Sequence, residues 1–152
     1  MDTLTRQQRA LLIAVTLATA VTRWLALAKT PWDWDETCGA AKLQSRVTVS
    51  KLERLSPDLE IALYRIVQES VLNAVRHSKA TLVELLVERT GDGVKIAVHD
   101  NGVGIDDLER ARTQSHGLVG MTHRMRAING TLDIRSGKGE GTRITAFLPL
   151  AA

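Results

Sequence analysis

Val94-Lys95-Ile96-Ala97-Val98-His99-Asp100-Asn101-Gly102-Val103-Gly104 changes character partway along. Its first part alternates. Val94, Ile96 and Val98 point one way and Lys95, Ala97 and His99 the other, which predicts a strand with one strongly apolar face. Asp100-Asn101-Gly102 is then a turn signal, and Gly104 follows. A buried strand that delivers an acid to its end and breaks into glycines can build a small-molecule site. The carboxylate accepts hydrogen bonds from a ligand amine, and glycines let backbone approach that ligand closely. Alone, the same residues also read as a β-turn with a solvated aspartate, so the flanking sequence decides between the two.

Upstream, Ser56-Pro57-Asp58 opens a helix, with Ser at the N-cap, Pro at the first helical position and acids, including Glu60, in the first turn. Apolar residues recur at helical spacing from Leu59 through Val75, predicting a helix to about Ser78. Glu69, Asn73, Arg76 and His77 fall on one face of it or on its border. An oxygen-bearing carboxylate and carboxamide beside nitrogenous side chains could hold a hydrated Mg²⁺ and phosphates; taken alone, they are equally an ordinary solvated stripe. Thr81 to Glu88 is a second strand-like run. Thr90-Gly91-Asp92-Gly93 is a hairpin turn that sets Glu88 beside Val94.

Downstream, Ile105 to Ser115 reads as a surface loop or a short helix from Asp106 to Arg112, of the kind that serves as a lid. Gly117 and Gly120 introduce an apolar helix carrying Val119, Met121, Met125 and Ile128 and ended by Asn129-Gly130. A helix N-terminus behind glycines suits an anion. Thr131–Ser136 and Arg143–Pro149 are two further strands around the flexible turn Gly137–Thr142.

The chain has 152 residues and a net charge of +3. That bounds it to one domain with an appendage, and we divide it at residues 1–44 and 45–152. Residues 1–41 are charge-neutral, and the basic excess beyond them is interspersed with acids, which argues against a nucleic-acid partner. The single Cys38 excludes an intramolecular disulfide and a cysteine zinc site. Leu11 to Ala28 is an apolar run of 18 residues behind Arg6 and Arg9 but containing Arg23. It reads as a helix that is a transmembrane anchor, a buried packing element or a cleaved signal. Pro31-Trp32-Asp33-Trp34-Asp35-Glu36 follows it. Residues 6–41 together weakly resemble the start of a membrane glycosyltransferase, with none of such an enzyme's further spans.

Four pieces occur in fixed order: Glu69-x-x-x-Asn73-x-x-x-His77, Asp100-x-Gly102-x-Gly104, Gly117-Leu118-x-Gly120-Met121 and Gly139-x-Gly141-Thr142. Singly each is generic. In this order, over about Val47 to Leu150, they closely resemble the ATP-binding domain of sensor histidine kinases, in the gyrase/Hsp90/kinase/MutL superfamily. The wording of Tyr64–Glu69 and of the Gly117–Met121 box is most similar to kinases that partner helix-turn-helix response regulators.

The resemblance implies an α/β (α+β) two-layer sandwich with a mixed β-sheet and helices on one face, and it implies ATP and Mg²⁺ as cofactors. Asp100 would bond the adenine amino group, with Thr142 nearby through water, and Gly102 and Gly104 would make room for the nucleotide. Asn73 would carry Mg²⁺, and Glu69 would be the acid/base position. His77, with Arg76 and Lys79, would face the phosphates. Gly117, Leu118, Gly120 and Met121 would form the lid hinge and phosphate cradle.

In that family the phosphoacceptor histidine lies upstream on a dimerising helix, whereas here no histidine precedes His77. The expectation is therefore an ATP-binding catalytic domain that transfers the γ-phosphate to a histidine of a dimerisation domain supplied in trans, with a response regulator as the downstream partner. The resemblance places this domain in the cytoplasm, and residues 11–28 offer a membrane anchor. The alternatives are a non-catalytic nucleotide-binding or interaction module and an anti-sigma-type serine kinase.

Overall fold

The computed structural model describes residues 43–50 and 55–150. The expected apolar helix at 11–28 and the acidic Trp/Asp segment lie outside the described residues. Among the described residues no helix is long and apolar enough to cross a membrane.

The elements in chain order are β1 (Gln44–Val49), α1 (Pro57–Asn73) continued by a π-helical turn (Ala74–Ser78), β2 (Leu82–Arg89), β3 (Gly93–Asp100), α2 (Leu108–Gln114), α3 (His116–Ala127), β4 (Thr131–Gly137) and β5 (Gly141–Pro149). The strands form one sheet in the order β1-β2-β3-β5-β4. β1 runs parallel to β2, and every other neighbouring pair is antiparallel, so the sheet is mixed.

Period-2 alternation divides the two faces of the sheet. Val83, Leu85 and Val87 of β2, Val94, Ile96 and Val98 of β3, and Ile144, Ala146 and Leu148 of β5 are all buried in one cluster with the helices. Onto this face α1 lays Leu63, Ile66, Val67 and Val71, and α3 lays Leu118, Met121 and Met125, each set at helical spacing. The opposite face carries a row running across all five strands: Arg46, Glu84, His99, Arg143 and Arg135. Within it Arg46 pairs with Glu84, whose other oxygen is 3.6 Å from His99 Nδ1. Charged side chains in register across a sheet keep that face in water, so the helices pack on the other one.

Four local expectations are corrected. The β2–β3 hairpin is shifted by one residue, with Glu88 opposite Lys95 and Arg89 opposite Val94. Thr90 and Gly93 close the turn, Thr90 N–H donating to the Gly93 carbonyl at 2.9 Å. The first helix reaches Ser78 as expected, but its last turn is π rather than α. The lid segment's helix is Leu108–Gln114 rather than Asp106–Arg112, capped by Asp107, which accepts from Arg110 N–H at 3.0 Å. The last helix starts at His116, so Gly117 and Gly120 lie inside it rather than ahead of it. β1 is an addition that the periodicity did not announce.

Candidate functional site

The expected site residues gather where β3, the end of α1 and the start of α3 meet. β3 ends at Asp100, whose neighbours across the sheet are Val83 on β2 and Thr142 on β5. Asp100 is only 6 % exposed, which is rare for an aspartate and calls for partners. One of its oxygens, Oδ1, accepts from Gly102 N–H at 2.9 Å. No buried side-chain oxygen or nitrogen among the described residues lacks a partner. Its second oxygen, Oδ2, has no hydrogen bond there, so it reaches solvent. A carboxylate held rigidly by one oxygen and open at the other is an aimed acceptor.

The loop after Asp100 is pinned on three sides. Val103 N–H donates to the Ser78 carbonyl at 2.7 Å, Gly139 N–H donates to the Val103 carbonyl at 2.7 Å, and Ile105 N–H donates to Ser136 Oγ at 2.8 Å. Gly102 passes so close beneath the helix end that a Cβ there would strike the Ser78 carbonyl. Asn101 ties the loop to β2, its Oδ1 accepting from Thr81 N–H and Leu82 N–H, both at 2.9 Å, while Nδ2 donates to Thr81 Oγ1. Asn101→Ala removes all three bonds at an exposed position, and the expected cost is about 1–2 kcal/mol, read as a fall in melting temperature. A loss below roughly 0.5 kcal/mol would show that the loop does not depend on this clamp.

Ser78 is the second anchor. Its Oγ donates to the Ala74 carbonyl at 2.6 Å and accepts from Ala80 N–H at 3.1 Å. Lys79 follows in the left-handed region at φ 53°, which turns the chain out of the helix. π turns widen a helix and recur at functional sites. Here the turn carries Arg76 and His77. Arg76, His77 and Lys79 are exposed at the helix end, while Glu69 and Asn73 are half-buried.

Glu69 and Asn73 face the first turn of α3. A Cβ on Gly117 would meet Glu69 Oε1, with Asn73 Nδ2 at 3.6 Å. Glycine at 117 therefore lets α3 begin against these two side chains. Ser115 caps α3 without a side-chain hydrogen bond, which leaves the first N–H groups of the helix open beside Glu69 and Asn73. Gly120 lies one turn on, where the Arg124 guanidinium folds back against it, with Nη1 at 3.3 Å from a Cβ built there.

Not every expected residue lines this corner. Leu118 is 4 % exposed and Met121 0 %, and the Met121 sulfur lies 3.7 Å from Ser70 Oγ, whose proton goes to the Ile66 carbonyl at 2.7 Å. Their side chains are core, and only their backbone could reach a ligand. Gly104, at φ 74°, packs against the Gly137 carbonyl and so joins the loop to the β4–β5 turn. Ser78, Asn101 and Ser136 hold the site together, yet none of them is a fixed position of the four motifs. Ser and Asn clusters at element ends signal side-chain-to-backbone bonding, and that is the sign the sequence offers for them. Among the described residues no three His, Cys, Asp or Glu side chains cluster as a metal site.

A family model described as histidine kinase-, DNA gyrase B-, and HSP90-like ATPase matches residues 58–152. The chain is 40% identical over 101 residues to the signal transduction histidine-protein kinase/phosphatase DegS of Bacillus subtilis, covering 65% of this chain and 26% of that protein. It is 37% identical over 102 residues to DegS of Brevibacillus brevis, covering 67% and 26%. The chain thus spans about a quarter of the length of these curated relatives. Among solved structures, the histidine kinase domain of the Erythrobacter litoralis EL346 blue-light activated histidine kinase superposes with a TM-score of 0.71 at 17% identity, covering 91% of this chain and 65% of that one. The ATP binding domain of PrrB from Mycobacterium tuberculosis gives a TM-score of 0.61 at 23% identity, covering 92% and 95%. At these identities the structural matches establish the fold alone.

Proposed function

The chain belongs to the histidine kinase-, DNA gyrase B- and HSP90-like ATPase family, and from that premise we propose that it is the ATP-binding catalytic domain of a two-component sensor histidine kinase. The observation that carries the reading is Asp100: a buried carboxylate with one oxygen committed to Gly102 N–H and the other open, set across from Thr142. In this role Oδ2 accepts from the adenine amino group. Gly102 and Gly104 leave the backbone free to approach the base.

The phosphates then extend toward the end of α1 and the start of α3. The open N–H groups at the start of α3, from His116 to Leu118, cradle them, and Arg76, His77 and Lys79 supply positive charge. Mg²⁺ fits the residues present: Asn73 offers a hard carboxamide oxygen, half-buried, with the Glu69 carboxylate one helical turn away, and magnesium is content with one protein oxygen plus water and phosphate. Bound there, the ion would neutralise and orient the phosphate oxygens. Glu69 takes the proton released by the attacking nucleophile. That nucleophile is a histidine of a dimerisation domain, which docks where the γ-phosphate emerges, and a response regulator receives the phosphoryl group afterwards. The domain works in the cytoplasm, where ATP is available.

The test is calorimetric titration of the chain with ATP, with and without Mg²⁺, followed by mixing with a separately expressed histidine-bearing dimerisation domain. Micromolar to millimolar binding and phosphate transfer are expected. Binding without transfer to any such domain would instead favour a non-catalytic nucleotide module. Gly117→Ala separates position from fold. The group that its Cβ would meet is the far end of the Glu69 side chain, which can swing away. Alanine also favours the helix by up to about 1 kcal/mol. The expected result is an unchanged or slightly raised melting temperature with transfer reduced about tenfold or more, and undiminished transfer would remove Glu69 from the mechanism.

A further inference from the structure

Ser136 stands where three segments cross, and none of the four sequence motifs contains it. It lies on β4, opposite Thr142 of β5. Its Oγ is 2.8 Å from the Gly141 carbonyl oxygen. A carbonyl has no proton to give, so Ser136 is the donor. The same Oγ accepts from Ile105 N–H at 2.8 Å and lies 3.0 Å from Thr142 Oγ1. A hydroxyl has one proton and two lone pairs. The Ser136 proton is committed to Gly141, so in the Ser136–Thr142 contact Thr142 must donate. The Thr142 hydroxyl then has only lone pairs left to turn outward.

Thr142 sits across the β3–β5 pairing from Asp100, whose open Oδ2 is also an acceptor. The corner therefore presents acceptors from both strands and a donor from neither. We infer that Ser136 is a positioning residue: it fixes Thr142 as an acceptor and so makes the corner select a 6-aminopurine nucleotide over its 6-oxo counterpart. The inference rests on the nucleotide-binding reading above and adds to it the residue that sets the direction of one hydrogen bond. An amino group brings protons to acceptors, directly or through a bridging water. A 6-oxo group brings another acceptor, and facing unpaired polar groups against each other is a strong basis for discrimination. Without Ser136, the Thr142 hydroxyl can rotate and offer its proton to a 6-oxo group.

The experiment measures dissociation constants for ATP and ITP on the whole chain, as native, Ser136→Ala, Ser136→Thr and Thr142→Val forms and as the double variant that combines Ser136→Ala with Thr142→Val, with melting temperatures alongside. The expected results are a native preference for ATP, a fall in that preference of roughly fivefold or more in Ser136→Ala, and its recovery in Ser136→Thr, which keeps the hydroxyl. On the Thr142→Val background the Ser136 change should no longer alter the ATP-to-ITP ratio, because the group it acts through is gone. A native ratio retained in Ser136→Ala overturns the inference even if the melting temperature drops, since that is the mark of a merely structural serine. Should Ser136→Ala not fold, Ser136→Cys replaces it, a thiol being a weak donor and a poor acceptor, and the same ratio decides. A native chain that binds neither nucleotide overturns the nucleotide-binding reading itself, and this inference with it.

Discussion

Asp100→Asn should leave the chain folded and weaken ATP binding at least tenfold. The substitution is nearly isosteric, and an asparagine can still present its side-chain oxygen to Gly102 N–H, which Asp100 Oδ1 holds at 2.9 Å. What changes is the outward atom. An acceptor becomes an NH₂ donor, set against the amine of the base. A hydrogen bond to a charged group contributes about 1.5–3 kcal/mol, equivalent to roughly ten- to a hundredfold in affinity, and two opposed donors add repulsion to that loss. The melting temperature of the ligand-free variant should stay within a few degrees of native. Calorimetry supplies the affinity, and full affinity in the folded variant would place the base somewhere other than the end of β3.

The second large effect concerns stability and has a built-in control. Gly141 and Gly139 share a left-handed backbone, φ 74° and 77°, so adopting that conformation costs alanine at either position about 1–2 kcal/mol. Their surroundings differ. A Cβ on Gly141 would strike the carbonyl oxygen of Asp100, whereas a Cβ on Gly139 has nothing within 4 Å. The obstacle at 141 is backbone where the end of β3 lies against the start of β5, and it cannot swing aside. Gly141→Ala should therefore lose about 2–4 kcal/mol, or on the order of 10–25 °C in melting temperature for a domain of this size, and Gly139→Ala only the conformational part. Equal losses for the two variants would mean that β3 and β5 separate easily at this point, contrary to the packing described.

How far the fold is readable from its residues depends on how local the cause of each element is. β3 announces itself because its apolar face and its turn are consecutive in the chain. α1 does so through Ser56-Pro57-Asp58 and an unbroken apolar spacing. β1 does not. Only six residues long and mostly exposed, it owes its existence to a parallel partner far along the chain, Arg46 meeting Glu84 38 positions away. The one-residue slip of the β2–β3 hairpin follows from Thr90 closing the turn on Gly93, a choice made by backbone hydrogen bonding rather than by hydrophobic pattern. The glycines at 117 and 120 read as preceding a helix because glycine disfavours helix interiors. Tertiary contact overrides that preference: Glu69 occupies the space a side chain at 117 would need. The residues of the candidate site are legible as an ordered set of motifs. Which of their atoms are free and which are committed is not, because Ser78, Asn101 and Ser136 act through contacts between segments distant in sequence.

The sheet order has a consequence for dissection of the molecule. β2 with β3 and β4 with β5 are each antiparallel neighbours in sequence, and the two pairs are joined along the single β3–β5 seam. Asp100, Asn73 and Glu69 belong to the first half of the domain, while Gly117, Ser136 and Thr142 belong to the second. A chain cut between Ile105 and Leu108 would yield two fragments, each with its own hairpin and each with half of the corner. If the corner binds nucleotide as proposed, nucleotide would then act as the glue between them, because a ligand that binds only the assembled form draws the equilibrium toward it. Such a split pair would turn ligand affinity into a readout of fragment reassembly, and would make the domain a candidate scaffold for an ATP sensor.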